Sequence, residues 1–195
     1  SANKSDWGRE LLIPQLRVIR DLKVLIVGYG AIGSEIGRRL RVFGPQITAL
    51  ARNRRVDDDV DVKEISALNS ELSQSDVVFL TIPLTPETAD LISTTQLGLM
   101  KKTAILIDVS RGGVVNQVAL VEALRKKHLG CAGLDVFAKE PLALDHPLRF
   151  LPNVILSPHI AGFGEKDIEE KLATNIKDNL LDFLSGNAPR DTIEI

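Results

Sequence analysis

The 195 residues contain one cysteine, Cys131. An internal disulfide framework is therefore excluded, and a reducing compartment is expected: the cytoplasm, or an organelle stroma or matrix after processing. In its apolar stretch Cys131 reads as a small buried hydrophobe. An excess of either charge is lacking too. The 24 Lys and Arg against 26 Asp and Glu give a net charge of -2, which exerts no global pull toward nucleic acid or a membrane surface. No apolar run reaches the roughly 18 residues of a membrane span. The N-terminus has no signal-peptide pattern, and Ser1-Ala2-Asn3 reads as a cloning remnant. Internal repeats and low-complexity tracts are missing. What remains, 44% hydrophobic and 26% charged, suits a soluble globular chain of one large domain with appendages.

Short apolar runs at residues 24–27, 47–50, 60–65 (weak), 77–80, 105–109, 131–134 and 154–156 alternate with helix-like segments. Runs of near-continuous apolar residues are what strands covered on both faces require. Helices are expected at 32–43 and 117–127, the second capped by Asn116 and stopped before Gly130, with short helical turns at 87–92 and 94–100. The pattern predicts an α/β fold, a doubly wound parallel sheet of Rossmann type with flanking helices. Residues 1–20 read as an N-terminal helical segment or linker interrupted by Pro14, 21–164 as the sheet domain, and 165–195 as a C-terminal amphipathic helix and return.

Gly28-Tyr29-Gly30-Ala31-Ile32-Gly33 lies directly between the first apolar run and the first helix. In that context G-x-G-x-x-G is a dinucleotide loop. Gly28 makes the tight turn, Gly30 admits a pyrophosphate close to the backbone, and Gly33 lets helix and strand approach. An NAD site places an acid at the end of the second strand to hold the ribose hydroxyls. Here that strand runs into Arg52-Asn53-Arg54-Arg55, and the first acid is Asp57. Guanidiniums suit a 2′-phosphate, so NADP is the expected cofactor, with NAD as the alternative.

Further polar motifs follow the later strands, at the edge where open α/β sheets bind ligands. Thr81-Ile82-Pro83 to Thr88 is a stiff turn or a cofactor contact, with Glu87 or Thr88 able to start a helix. Asp108-Val109-Ser110-Arg111-Gly112-Gly113 presents an arginine able to bind a carboxylate bidentately. His159, in Ser157-Pro158-His159-Ile160-Ala161-Gly162, is the best acid–base candidate, and Glu140 or Asp135 could stabilise its charged form. His128 suits a helix end and His146 a surface loop.

Taken in order, VLIVGYGAIG, IPLTPET, LIDVSRGGVVN, GCAGLDVFAKEPL and NVILSPHIAG resemble the nucleotide-binding domain of the D-isomer-specific 2-hydroxyacid dehydrogenases, including glyoxylate/hydroxypyruvate reductase-like and phosphoglycerate dehydrogenase-like members. The resemblance implies an oxidoreductase moving a hydride between NADP(H), or NAD(H), and a small 2-oxo or 2-hydroxy acid. It implies that Arg111 holds the substrate carboxylate, His159 donates the proton and Glu140 supports His159. By the same resemblance Asp135 binds the nicotinamide carboxamide, Gly28, Gly30, Ala31 and Ile32 surround the pyrophosphate, and Thr81, Pro83 and Ser110 line the cofactor cleft. Asp108 stands where the family commonly has asparagine.

Only 27 residues precede the glycine loop, where the family's substrate domain would largely lie. A missing substrate domain and weak activity of the isolated chain are therefore expected. A homodimer through this domain is also implied, with the Trp7 segment and the 136–147 loop as contacts. The rival readings are a dinucleotide-sensing scaffold like the family's corepressor relatives, and a cofactor-binding module without catalysis.

Overall fold

The structure is a computed structural model that describes residues 16–57, 60–162 and 168–189. It divides into two units, Ser1–His159 and Ile160–Ile195. In the first, the strands are β1 (Lys23–Val27), β2 (Gln46–Ala51), β3 (Arg55–Asp57), β4 (Val60–Glu64), β5 (Val77–Leu80), β6 (Ile105–Asp108), β7 (Cys131–Leu134) and β8 (Val154–Leu156). The helices between them are α1 (Ala31–Arg41), α2 (Leu68–Gln74), α3 (Thr94–Leu99) and α4 (Gln117–Arg125). The second unit contributes α5 (Ile168–Leu184), which carries Leu172, Ile176, Leu180 and Phe183 at helical spacing. No described helix is long and apolar enough to cross a membrane.

The sheet order is β3-β4-β2-β1-β5-β6-β7-β8, parallel except for the β3–β4 pair. Period-two alternation sorts each central strand between two cores. Leu25 and Val27, Val78 and Leu80, and Leu106 face one core, which α2, α3 and α4 cover with Leu72, Leu97, Leu120 and Leu124. Val24 and Ile26, with Val77, face the other, against which Ile36 and Leu40 of α1 pack. Burial on both faces is why these strands are apolar without interruption. Asn116 caps α4 by accepting from the Ala119 N–H at 2.9 Å.

Residues 86–90 form turns, as the short helical turns expected at 87–92 imply: the Ala89 N–H donates to the Thr85 carbonyl at 2.9 Å, and Thr88 Oγ1 accepts from the Thr85 N–H and donates to the Pro83 carbonyl, each at 2.7 Å. The antiparallel strand β3 was not anticipated, since its one apolar residue, Val56, is 81% exposed and leaves no burial pattern to read. The Trp7 segment lies outside the described residues.

The order reverses between β1 and β5, which sends the chain to opposite sides and opens a crevice at their carboxyl ends. Leu106→Ala removes a fully buried residue of β6 and is expected to cost about 2–5 kcal/mol, read as a lower urea midpoint at unchanged slope.

Candidate functional site

Five of the parallel strands hand their chain over to a loop in the same way. The first residue past the strand donates its N–H to a carbonyl at the end of the neighbouring strand, the last one except at Leu50, which is next to last in β2: Gly28 to Leu50, Thr81 to Val27, Val109 to Leu80, Asp135 to Asp108 and Ser157 to Leu134, at 2.9–3.3 Å. All five loops thereby leave the sheet along one edge.

In the glycine loop, Gly28 has φ +98°, a conformation that glycine tolerates and a Cβ would strain, and a Cβ there would also strike Ile82. A Cβ on Gly33 would strike the Gly28 carbonyl, so helix and turn touch directly. A Cβ on Gly30 would meet no protein atom within 4 Å; the space ahead of α1 is open. Gly30 is the N-cap residue of α1, with no side-chain capping bond, and the first turn holds no acid. The N-terminal N–H groups and the positive end of the helix dipole are thus left to an anion. This cradle fits a pyrophosphate. Ala31 and Ile32 open the helix beside it, Ile32 exposed.

Thr81 closes the loop from the β5 side, its hydroxyl donating to the Gly28 carbonyl at 2.5 Å. At the β2 end, Arg52, Asn53, Arg54 and Arg55 are all exposed, and Arg55 begins β3. Arg55 Nη2 donates to the Tyr29 carbonyl at 2.7 Å, a contact between residues 26 apart that no sequence pattern announces.

The loop after β6 is tied from below. Asp108 is 3% exposed, and its Oδ1 accepts from both the Ser110 N–H at 3.0 Å and the Ser110 hydroxyl at 2.5 Å. Burial raises the Asp108 carboxyl to about 6, against the lowering effect of the Ser110 hydrogen bonds. Ser110 is itself buried, so its side chain faces inward, and its carbonyl accepts from Arg111 Nη1 at 2.7 Å. A Cβ on Gly112 would strike the Phe137 carbonyl, which shows how closely this loop approaches the one after β7.

That approach brings the expected residues together. Arg111, Glu140 and His159 line one open groove of about 510 Å³ with Pro83, Leu84 and Phe137. His159 Nδ1 stands 2.8 Å from Glu140 Oε2, and Glu140 Oε1 accepts from the Phe137 N–H at 2.9 Å. The bond to His159, and then the Phe137 N–H, hold the Glu140 carboxyl below its ordinary range. Of the two acids that could have served, Glu140 is the one at the histidine. Asp135 is buried and accepts from the Ser157 hydroxyl at 2.6 Å. His159 has φ +56°, a left-handed conformation that is uncommon outside glycine and is tolerated better by Asn, Asp and His.

His146 is not a free surface residue. It is half-buried, with Nδ1 accepting from the Leu148 N–H at 3.2 Å and Nε2 lying 2.8 Å from the Gln117 amide nitrogen. Gln117 Oε1 in turn accepts from the Ala138 N–H at 3.0 Å, steadying the loop that carries Glu140.

A glycine loop at the switch point of a parallel sheet, with an uncapped helix N-terminus, defines a dinucleotide-binding α/β domain. Residues 1–161 match the D-isomer specific 2-hydroxyacid dehydrogenase, NAD binding domain family, and the chain belongs to it. It is 41% identical over 169 residues to a glyoxylate reductase of Korarchaeum cryptofilum, covering 86% of this chain and 51% of that protein. It is 39% identical over 171 residues to a glycerate dehydrogenase of Methylorubrum extorquens, covering 87% and 52%. Among solved structures it is similar to the NADPH-dependent glyoxylate/hydroxypyruvate reductase of Sinorhizobium meliloti in complex with NADP and sulfate, with a TM-score of 0.86 and 25% identity, covering 96% of this chain and 62% of that one. The chain spans about half the length of the curated relatives it matches.

Asp108 offers a test of the loop's electrostatics. A carboxyl whose pKa is raised on folding holds its proton more tightly in the folded chain. Its contribution to stability is complete below the unfolded value near 3.8 and is lost as pH rises through about 6. Asparagine keeps the Oδ1 acceptor and removes the charge. The stability of Asp108→Asn relative to the parent chain is therefore expected to improve by up to about 3 kcal/mol between pH 4 and pH 7.5, as measured by urea titration at each pH.

Proposed function

We propose that this chain is the cofactor-binding and proton-donating half of a reductase that acts on a small 2-oxo acid and prefers NADP(H) to NAD(H). The observation that carries the proposal is the His159–Glu140 pair at 2.8 Å on the same groove as Arg111. The domain would span 21–164, between a leading segment at 1–20 and a helix and return at 165–195.

Gly28, Gly30, Ala31, Ile32 and Gly33 would hold the pyrophosphate against the N-terminus of α1. Arg52, Asn53 and Arg54 would face the adenosine 2′-phosphate. Thr81, Pro83 and the backbone of Ser110 would border the nicotinamide end, and Asp135 would accept from its carboxamide. The cofactor, when bound, supplies the hydride. Arg111 would bind the substrate carboxylate as a two-pronged donor and set the keto group against His159. With Nδ1 turned to Glu140, the His159 proton available to the keto oxygen is the one on Nε2, the opposite side of the ring. Glu140, held below its ordinary range by the histidine and anchored by the Phe137 N–H, fixes that ring orientation. In the oxidative direction the same nitrogen takes the proton back.

The groove is open, so a substrate domain supplied by residues like those in the other half of the relatives' length would be needed to cover it and exclude water. Strong cofactor binding with weak turnover is the behaviour proposed for the chain alone. We further propose a homodimer. In the 136–147 loop, Val136, Phe137 and Leu142 are buried while Leu144 is 84% exposed, and nearby Phe150 is also exposed, which makes Leu144 and Phe150 the apolar contacts on offer. A single cysteine, its thiol pushed up by burial, suits a reducing compartment such as the cytoplasm.

Two measurements test this reading. Fluorescence titration is expected to give at least tenfold tighter binding of NADPH than of NADH, a difference of about 1.4 kcal/mol; equal binding overturns the NADP preference. In the chain joined to its substrate domain, His159→Asn is expected to lower kcat for glyoxylate or hydroxypyruvate by roughly 10²–10⁴-fold with little change in cofactor Kd. An unchanged kcat would leave a binding module without catalysis.

A further inference from the structure

Tyr29 is the unspecified residue of Gly28-Tyr29-Gly30, yet it is 5% exposed. Its ring lies along α1, so close that a Cβ on Gly37 would stand 3.0 Å from the phenolic oxygen. Arg55 reaches it from the far side of the basic turn. One guanidinium nitrogen donates to the Tyr29 carbonyl at 2.7 Å, and the guanidinium carbon sits 5.8 Å from the centre of the Tyr29 ring, within the range of a cation–π contact. Arg52 and Arg54 are exposed and make no hydrogen bond or ion pair among the described residues.

We propose that the basic turn divides its labour: Arg52 and Arg54 read the 2′-phosphate, whereas Arg55 is a positioning residue that braces the glycine loop through Tyr29. This assignment rests on the dinucleotide reading of the loop given above. The Tyr29 carbonyl and the Gly30 N–H belong to one planar, trans peptide unit and point in opposite directions. A donor that holds the carbonyl on one side therefore turns the Gly30 N–H to the other. Gly30, on one side of this peptide, has no Cβ to restrict it, and the planar guanidinium adds a preference by gripping the Tyr29 backbone and ring together. Because the brace acts on the pyrophosphate end, it serves a dinucleotide with or without a 2′-phosphate.

The test compares Kd values for NADPH and NADH across the parent chain, Arg55→Met, Arg55→Lys and the double variant Arg52→Met/Arg54→Met. It is read together with the ring resonances of ¹³C-labelled tyrosine, of which the chain has one. Arg55→Met is expected to weaken both nucleotides by about tenfold, to leave their ratio within about twofold of the parent's, and to shift the Tyr29 signals without ligand. Arg55→Lys, which keeps a donor, is expected to lose less of both at the same ratio. The double variant should lose NADPH affinity alone and leave the Tyr29 signals in place. A loss confined to NADPH in Arg55→Met would make Arg55 a 2′-phosphate ligand and overturn the assignment, as would unchanged binding of both. If the parent chain binds neither nucleotide, the dinucleotide reading itself fails, and the brace fails with it. A parent chain that binds NADPH and NADH keeps that reading whatever Arg55 does.

Discussion

Five backbone hydrogen bonds, each made by the first residue beyond a strand to a carbonyl at the end of its neighbour, hold the functional loops to one edge. They extend the ladder one rung past the strands, so Gly28, Thr81, Val109, Asp135 and Ser157 leave the sheet at a common level. Everything chemical hangs from that rung: the glycine turn at Gly28, the Thr81 hydroxyl closing it, Arg111 two residues after Val109, and Asp135 anchored by the Ser157 hydroxyl. The rung exists because β1, β5, β6, β7 and β8 are parallel and in register. A slip by one residue would exchange the side chains that each strand sends to its two cores.

Two kinds of contact then convert a common edge into a site. The first is backbone approach without side chains: Gly33 onto the Gly28 carbonyl and Gly112 onto the Phe137 carbonyl. The second is a buried polar group that ties its own loop. Asp108 accepts twice from Ser110, and Asp135 accepts from Ser157, while Gln117 joins the Ala138 N–H to the His146 ring. The carboxylates differ in what surrounds them. Asp108 has dipoles but no cation among its bonds and is driven upward by burial; Glu140 lies in the open with a histidine against it and is driven downward. A carboxyl in a dry place acts as a strut, whereas one at a wet rim stays charged and available to a histidine.

Legibility in the sequence followed burial. Strands buried on both faces announced themselves as apolar runs, and Asn116 announced its cap, because each demands a residue type at one place. The strand β3 left no such trace, since Val56 is exposed and its neighbours are charged. At the site, the residue types at the strand ends were readable, but their pairings were not. By residue type alone Asp135 and Glu140 were equal candidates for the histidine, and only the family resemblance preferred Glu140; the loop path pairs Asp135 with Ser157 and Glu140 with the ring. Arg52, Arg54 and Arg55 looked alike for the same reason: three identical side chains differ only in where the turn sends them.

The finished and unfinished sides of the site differ in a way that bears on its chemistry. On the cofactor side the walls are backbone and buried side chains, already closed around Gly28 and Thr81. On the other, His159 and Glu140 keep 44% and 36% of their side-chain surface exposed, and water screens the pair strongly enough that it contributes little to stability as it stands. The same two groups under an apolar cover would interact through a lower dielectric, and a proton on His159 would exchange with substrate sooner than with solvent. In the function proposed above the pair is a functional group and not a structural ion pair: its geometry is set by the Phe137 N–H and the loop after β7, and an apolar cover would set its strength.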